Sequence, residues 1–590
     1  MKPQISNELD PIAVEVIRNK LEGIANEMQH SLLRSAFSPI VKEGLDASAS
    51  LFTLGGETLA QSISIPIHLG TLIPIVGEIL KRNPVETLAE GDIFIMNDPY
   101  LGGTHLPDIA IIMPVFVDGR LLGLSATMAH HQDVGGMTPG SVPTNATEIF
   151  QEGIRIPPLK LASAGKIDEN LMQILRLNVR LPDLFMGDIN AQIAACNVGR
   201  RRLRELCANY DHQFLSAVFK SLLDRSEVMT RDALGRIPAG EYHYTDYLDN
   251  DGIVIDERIR ISVTVIVDNG EITFDFDQTS AQVKGPLNCV PSGSLSAACF
   301  AVRVLTGSDI PTNGGCFRPI HLKLPEGSIV NPREPAAVNA RTSTIKRIAG
   351  CMVGAFQQVL PDKITADSAS EMLILQFGGQ HRDGRRFVVG ELIASGSGAG
   401  IRSDGIDVIE TDASNCMNLP VEALELEAPV RVRRFGLRRD SGGPGEYRGG
   451  LGVVREYEIL DAEIKLTHRG ERHYCAARGC HGGQEGARSF STIIRASGSE
   501  EVIPSKRVTE LTRNDRLIIE TAGGGGFAIN LGADARTLKI TGEEHLGLYR
   551  AEIEDEERPT CEVSTGERRF CRECGSALWL YDPTWPDLVH

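Results

Sequence analysis

The chain has 590 residues, 42% of them hydrophobic and 23% charged, with a formal net charge of −18. That composition is ordinary for a soluble globular protein with several cores, and the negative balance argues against nucleic acid or an anionic membrane as partner. No apolar run is long enough to span a bilayer, no N-terminal stretch combines a basic start, an apolar run and a cleavage site, and the 12 scattered cysteines read as reduced core thiols, so the expected setting is cytoplasmic.

Residues 10–35 predict one amphipathic helix. Asp10 suits its cap, Pro11 its first turn, and Ile17, Leu21, Ile24, Met28 and Leu32 share a face. The runs IAIIMPVFV (109–117) and LLGLSAT (121–127) have the length and β-branched content of buried strands. Residues 167–225 read as helix in several pieces with a break near Pro182, and RRRLREL (200–206) as a solvated helix face. From about 240 the period changes: 253–265 and 271–277 alternate as antiparallel strands, joined by an Asp-Asn-Gly hairpin turn. Helices are expected over 293–306 and 341–360, and short glycine-broken strands over 429–520. The 60 glycines predict tight loops around an irregular site, with GGTH and GGPG as plain turns. No GxxxxGK[ST] phosphate loop occurs anywhere. Helices and strands come in blocks, which favours an α+β fold.

Two glycine-rich stretches, NDPYLGGTHLPD (97–108) and ATMAHHQDVGG (126–136), carry the chemistry. They offer His105, Asp108 and His130 from turns at strand ends, with Asp133 close by in the sequence. Imidazole and carboxylate suit a divalent ion such as Zn, Mn or Fe. Any one of these residues alone would serve equally well as a core or turn residue.

The stretches DPIAVEVIRNKLEGIANEM (10–28), KEGLDASASLFT (42–53), IPIHLGTL (65–72), GDIFIMNDPYLGGTHLPDI (91–109), QTSAQVKGPLNC (278–289), NGGCFRPI (313–320) and DSGGPGEYRGGLG (440–452) resemble the hydantoinase B/oxoprolinase family over roughly residues 8–526. The resemblance implies a B-type subunit of an ATP-dependent cyclic-amide hydrolase of the hydantoinase or 5-oxoprolinase kind, in a hetero-oligomer. An A-type partner subunit would hold ATP and phosphorylate the substrate carbonyl, in keeping with the missing phosphate loop. It also implies a metal held by His105, Asp108 and His130, with Asp46 as further ligand or base, Asp133 as alternative base, and His131 and His68 as residues that orient the ligands. Related carboxylase subunits acting on ketones such as acetone or acetophenone, and a non-catalytic scaffold, are the rival readings.

After TAGGGGF (521–527) that pattern stops, which divides the chain at 1–527 and 528–590. The tail resembles part of the glutathione-dependent formaldehyde-activating (CENP-V/GFA) family of small β-rich zinc domains. Cys561, Cys571 and Cys574 would be an incomplete zinc set, and nothing in the spacing of Cys475, Cys480 or His481 marks a fourth ligand.

Overall fold

The computed structural model describes residues 9–460 and 463–528 without interruption, and backbone stretches within 533–589. The first helix, α1 (Pro11–Ser35), begins where Asp10 turns the chain. The Asp10 carboxylate accepts the Ile12 and Ala13 amides at 3.1 and 3.3 Å, satisfying donors that a helix start leaves open. Ile17, Leu21, Ile24, Met28 and Leu32 are all buried on one face. The later helical region divides into Glu169–Leu177, Pro182–Asn209 and His212–Leu234. In RRRLREL, Arg201 and Arg202 reach outward to Glu27 of α1 while Leu203 and Leu206 point inward.

Seven strands form the sheet that carries the site: β1 (Ala47–Phe52), β2 (Thr58–Gln61), β3 (Ile93–Met96), β4 (Asp108–Val117), β5 (Arg120–His130), β6 (Leu159–Ser163) and β7 (Lys166–Ile167). Their order is β2-β1-β5-β4-β3-β6-β7, and every pairing is antiparallel. β4 and β5 are buried on both faces, which explains their unbroken apolar runs. Ile109, Ile111 and Met113 pack toward the helix Pro182–Asn209, whereas Ala110 and Ile112 pack toward the helix Leu72–Arg82. The β4–β5 hairpin turns at Asp118 and Gly119, with φ of 50° and 73°, the positive values that a tight two-residue turn requires.

A second sheet has the order Ile320–Lys323, Glu271–Asp275, Ile259–Asp268, Gly240–Leu248. Its Asn269–Gly270 turn has both φ values positive, 49° and 76°, as the Asp-Asn-Gly sequence predicts. The strand expected from residue 253 starts instead at Ile259. Asp251 Oδ1 accepts the Ile253 and Val254 amides at 2.8 and 2.6 Å and holds that stretch in a turn. The helices Pro291–Thr306 and Arg341–Gly354 pack on this sheet in one shared core. The second stops short of residue 360, at Gly354, where a Cβ would lie 2.8 Å from the Tyr244 ring. Two further sheets, Arg386–Ile393/Leu373–Gln380/Ile464–Arg469/Lys506–Leu511 and Val430–Leu437/Val453–Ile459/Arg516–Glu520/Phe490–Ile494/Glu500–Val502, enclose a core built on Phe377, Tyr457, Leu466 and Ile519.

The glycines of the C-terminal half correct the expectation of turns. Residues 396–405, 441–452, 477–487 and 521–527 lie side by side and exchange backbone hydrogen bonds: Gly443 N to Gly524 O at 2.8 Å, Gly524 N to Gly450 O at 2.9 Å, Gly450 N to Ser397 O at 2.8 Å and Gly526 N to Gln484 O at 2.9 Å. Almost none of these glycines has positive φ. They are glycine because a Cβ would strike neighbouring backbone: 1.9 Å from Ser397 O at Gly524 and 2.0 Å from Ile406 O at Gly450. GGPG (442–445) belongs to this lattice rather than to a free turn.

Beyond residue 528, the described strands include Leu546–Tyr549, Glu567–Cys571 and Ala577–Tyr581, and they pair only with other strands of the tail. The side chains of Cys561, Cys571 and Cys574 lie outside the described residues. Among the described residues, no helix is long and apolar enough to cross a membrane.

Candidate metal centre

The antiparallel register of the sheet assembles the site. Asp108 opens β4 and His130 closes β5, and the two are direct cross-strand partners. Asp46 precedes β1, and its carbonyl accepts the His130 amide at 3.1 Å. Three adjacent strands thus deliver Asp46, His130 and Asp108 to one edge. His105 comes from the turn before β4, where its carbonyl accepts the Asp108 amide at 3.1 Å. Gly103 lets that turn close, since a Cβ there would sit 2.7 Å from the Asn97 and Asp98 carbonyls.

His105 Nε2 lies 3.0 Å from Asp108 Oδ1 and 3.2 Å from His130 Nδ1, and His130 Nδ1 lies 3.2 Å from Asp108 Oδ1. Ligand atoms each about 2.0–2.1 Å from one ion in tetrahedral array stand about 3.3 Å apart, so the spacing fits a divalent ion. Among the described residues these three form the one such convergent group, and they could chelate a divalent metal.

The surroundings set the state of two of these candidate ligands, His105 and Asp108. His105 Nδ1 donates to the Asn339 carbonyl at 3.1 Å, which leaves Nε2 with its lone pair facing the cluster. Burial, with Arg341 nearby, pushes His105 down to about 3, so it is neutral, as a ligand must be. Asp108 Oδ2 accepts Thr104 Oγ1 at 2.6 Å and an Arg341 guanidinium N–H. Oδ1 is left for the cluster. Burial opposes ionisation of Asp108, but the Arg341 guanidinium outweighs it and holds the carboxyl well below its usual range.

Asp46 faces the open side of this group, with Oδ2 3.8 Å from His130 Nδ1 and Oδ1 3.4 Å from His68 Nε2. His68 is fixed through Nδ1 to Ser48 Oγ at 3.0 Å, and burial pushes its pKa down. His131 and Asp133 are not brought into the cluster. His131 turns to the opposite side of the strand end, against Phe185 and Gln192 Oε1 at 3.0 Å. Asp133 organises a loop: its oxygens accept the Gly135, Gly140 and Arg180 amides at 3.1, 3.0 and 2.8 Å and pair with the Arg180 guanidinium at 3.0 Å. Cys480 and His481 lie in the glycine lattice, where both pack on Phe527.

A cavity of about 30 Å³ adjoins the cluster, with Ile65, Ile67, Met372, Ile374 and Leu392 as apolar walls and Arg341, Arg469 and Gln376 as polar ones. Arg341 opens the helix Arg341–Gly354 and Arg469 ends the strand Ile464–Arg469, so the C-terminal half closes a site that the N-terminal sheet builds. Neither arginine, nor Asn339, belongs to a spacing pattern that the sequence offers locally.

The family description Hydantoinase B/oxoprolinase matches residues 10–529. The chain is 33% identical to a Pseudomonas sp. protein provisionally named as the B-type subunit of a D-/L-hydantoinase, over 93% of this chain and 96% of that one. It superposes on the ATP-dependent caprolactamase of Pseudomonas jessenii with a TM-score of 0.83 at 30% identity, covering 89% of this chain and 92% of the other. An acetone carboxylase gives a TM-score of 0.80 at 20% identity, covering 88% and 76%, which is a likeness of fold alone.

Proposed function

Because this chain belongs to the hydantoinase B/oxoprolinase family, we propose that it is the metal-holding subunit of an ATP-dependent hydrolase of cyclic amides. On this reading it acts on a carbonyl that an A-type partner subunit has phosphorylated. The observation that carries it is the convergence of His105, Asp108 and His130 at 3.0–3.2 Å, each positioned by a separate buried contact or strand end. A divalent ion held there would polarise the carbonyl or lower the pKa of a water. The chain's own residues do the rest. Asn339 and Arg341 fix the ligand orientations from outside. Asp46, beside His68, faces the cluster and is placed to complete the ligand set or to take a proton from an attacking water. The apolar walls keep bulk water from an activated acyl group.

The test is reconstitution with the A-type subunit of the same organism. ATP turnover should be absent with this chain alone and should appear, dependent on a lactam or hydantoin, when the two are mixed. Turnover by the purified chain alone, or none in the mixture with any cyclic amide, would refute the reading.

A further inference from the structure

The cavity beside the cluster holds a buried guanidinium, that of Arg469, that forms no ion pair with any described residue. Arg469 is 2% exposed and Arg341 3% exposed, and both line it. Arg341 is paired with Asp108. Among the described residues, the Arg469 side chain hydrogen-bonds only to Asn339, whose carbonyl lies at 3.3 Å and side-chain oxygen at 3.5 Å. The Nε of each arginine is buried and has no partner among the described residues. Glu152, the buried carboxyl behind Asn339, is pushed up to about 8 by burial and offers little counter-charge at neutral pH. Two guanidinium groups therefore face Asp46 and Asp108, and a divalent cation would tip the cavity to net positive. A buried, unpaired guanidinium is costly unless a ligand completes it.

We propose that Arg469, with the free edge of Arg341, receives a tetrahedral oxyanion: the phosphoryl group of the activated substrate or the orthophosphate that leaves it. This rests on the reading of a phosphorylated carbonyl given above. Guanidinium matches phosphate oxygens in a fork geometry, and a charged phosphoryl group gains more from it than a neutral amide carbonyl does. The long contacts to Asn339 leave the Arg469 head free to swing onto a ligand larger than the present cavity. The site thus favours the amide after its activation over the amide before it.

Calorimetric titration of inorganic phosphate into the full metal-loaded chain tests this, with metal content and circular dichroism read in parallel. Phosphate should bind the wild type, and Arg469→Met should weaken it by about tenfold or more, the scale of a charge-assisted hydrogen bond, with metal content unchanged. Arg469→Lys should keep the fold and lose part of that affinity, and it serves if the methionine variant does not fold. Phosphate binding equal to wild type in the folded variants would overturn the proposal. So would acetate competing as well as phosphate, which would assign the pair to a carboxylate. If the mixed subunits show amide-dependent ATP turnover while phosphate ignores Arg469, this inference fails alone; if that turnover is absent, the reading beneath it fails.

Discussion

His105 and Asp108 are held in complementary states by one neighbour. Arg341 donates to Asp108 and keeps it ionised, and its charge helps keep His105 neutral. Both are then in the form that a metal needs. His105→Ala should therefore lower the metal content of the purified chain by about one ion per chain in elemental analysis; equal content in both would remove the assignment. Asp46→Asn separates two roles. Loss of metal retention, the expected result, makes Asp46 a ligand, whereas full metal with lost turnover makes it the base.

Glu152 sets the Asn339 carbonyl that orients His105, accepting the Val338 and Asn339 amides at 3.0 and 2.8 Å. Burial raises it from 4.5 to about 8 in the folded chain. Between those values the folded chain keeps a proton that the unfolded chain has lost, so this group's contribution to stability falls as pH rises through that window. Glu152→Gln cannot titrate. From pH 5 to pH 8 the unfolding free energy of the wild type should decline more than that of the variant, and parallel declines would contradict the assignment. His105, Asp108 and His130 were legible in the sequence because turn glycines and apolar runs placed them at strand ends. Arg341 and Arg469 were not, because they arrive from elements more than 200 residues away with no local pattern. Asp133 shows the converse: nearness in sequence to His130 is not nearness in space, since the chain turns away at His131.

At the scale of elements, periodicity located what local physics decides. α1, the β4–β5 hairpin and the Asn269–Gly270 turn stand where caps, β-branched runs and positive-φ residues put them. The glycine lattice escaped because glycine signals a turn and a close approach with the same letter. The two are separable by substitution. At Gly524 a Cβ would meet Ser397 O at 1.9 Å, with backbone that has nowhere to move, so Gly524→Ala should cost several kcal/mol, beyond the roughly 1–3 kcal/mol of ordinary overpacking. At Gly436, in the strand Val430–Leu437, a Cβ would meet nothing within 4 Å, and Gly436→Ala should be neutral or stabilising by up to about 1 kcal/mol. Urea midpoints measure both. A tolerated Gly524→Ala would mean that the four segments are not packed backbone to backbone.

At the scale of the molecule, two halves share one site, and the tail adds no described strand to either. The N-terminal sheet supplies the convergent candidate ligands, and the C-terminal half supplies Arg469, Gln376 and the wall at Met372 and Ile374. The glycine run at 523–526, a junction in the pattern of the sequence, is in the fold the last segment of the lattice. Phe527 packs with Ala366, Ala399 and Cys480, and the Ala528 amide still donates to the Cys480 carbonyl at 3.1 Å. The contacts of the body thus include Ala528, and the family match ends at 529. Among the described residues, the tail strands hydrogen-bond to no strand of the body. Removing residues 530–590 should leave the lattice whole, with metal content and urea midpoint of the body unchanged and amide-dependent ATP turnover with the partner subunit retained. A further cut before Gly523 should unfold the C-terminal half, because Gly524 bonds twice to the segment 441–452 and Gly526 twice to the segment 477–487. If the first truncation already abolishes turnover or assembly with the partner, the tail is a working part of the enzyme and not an appendage to it.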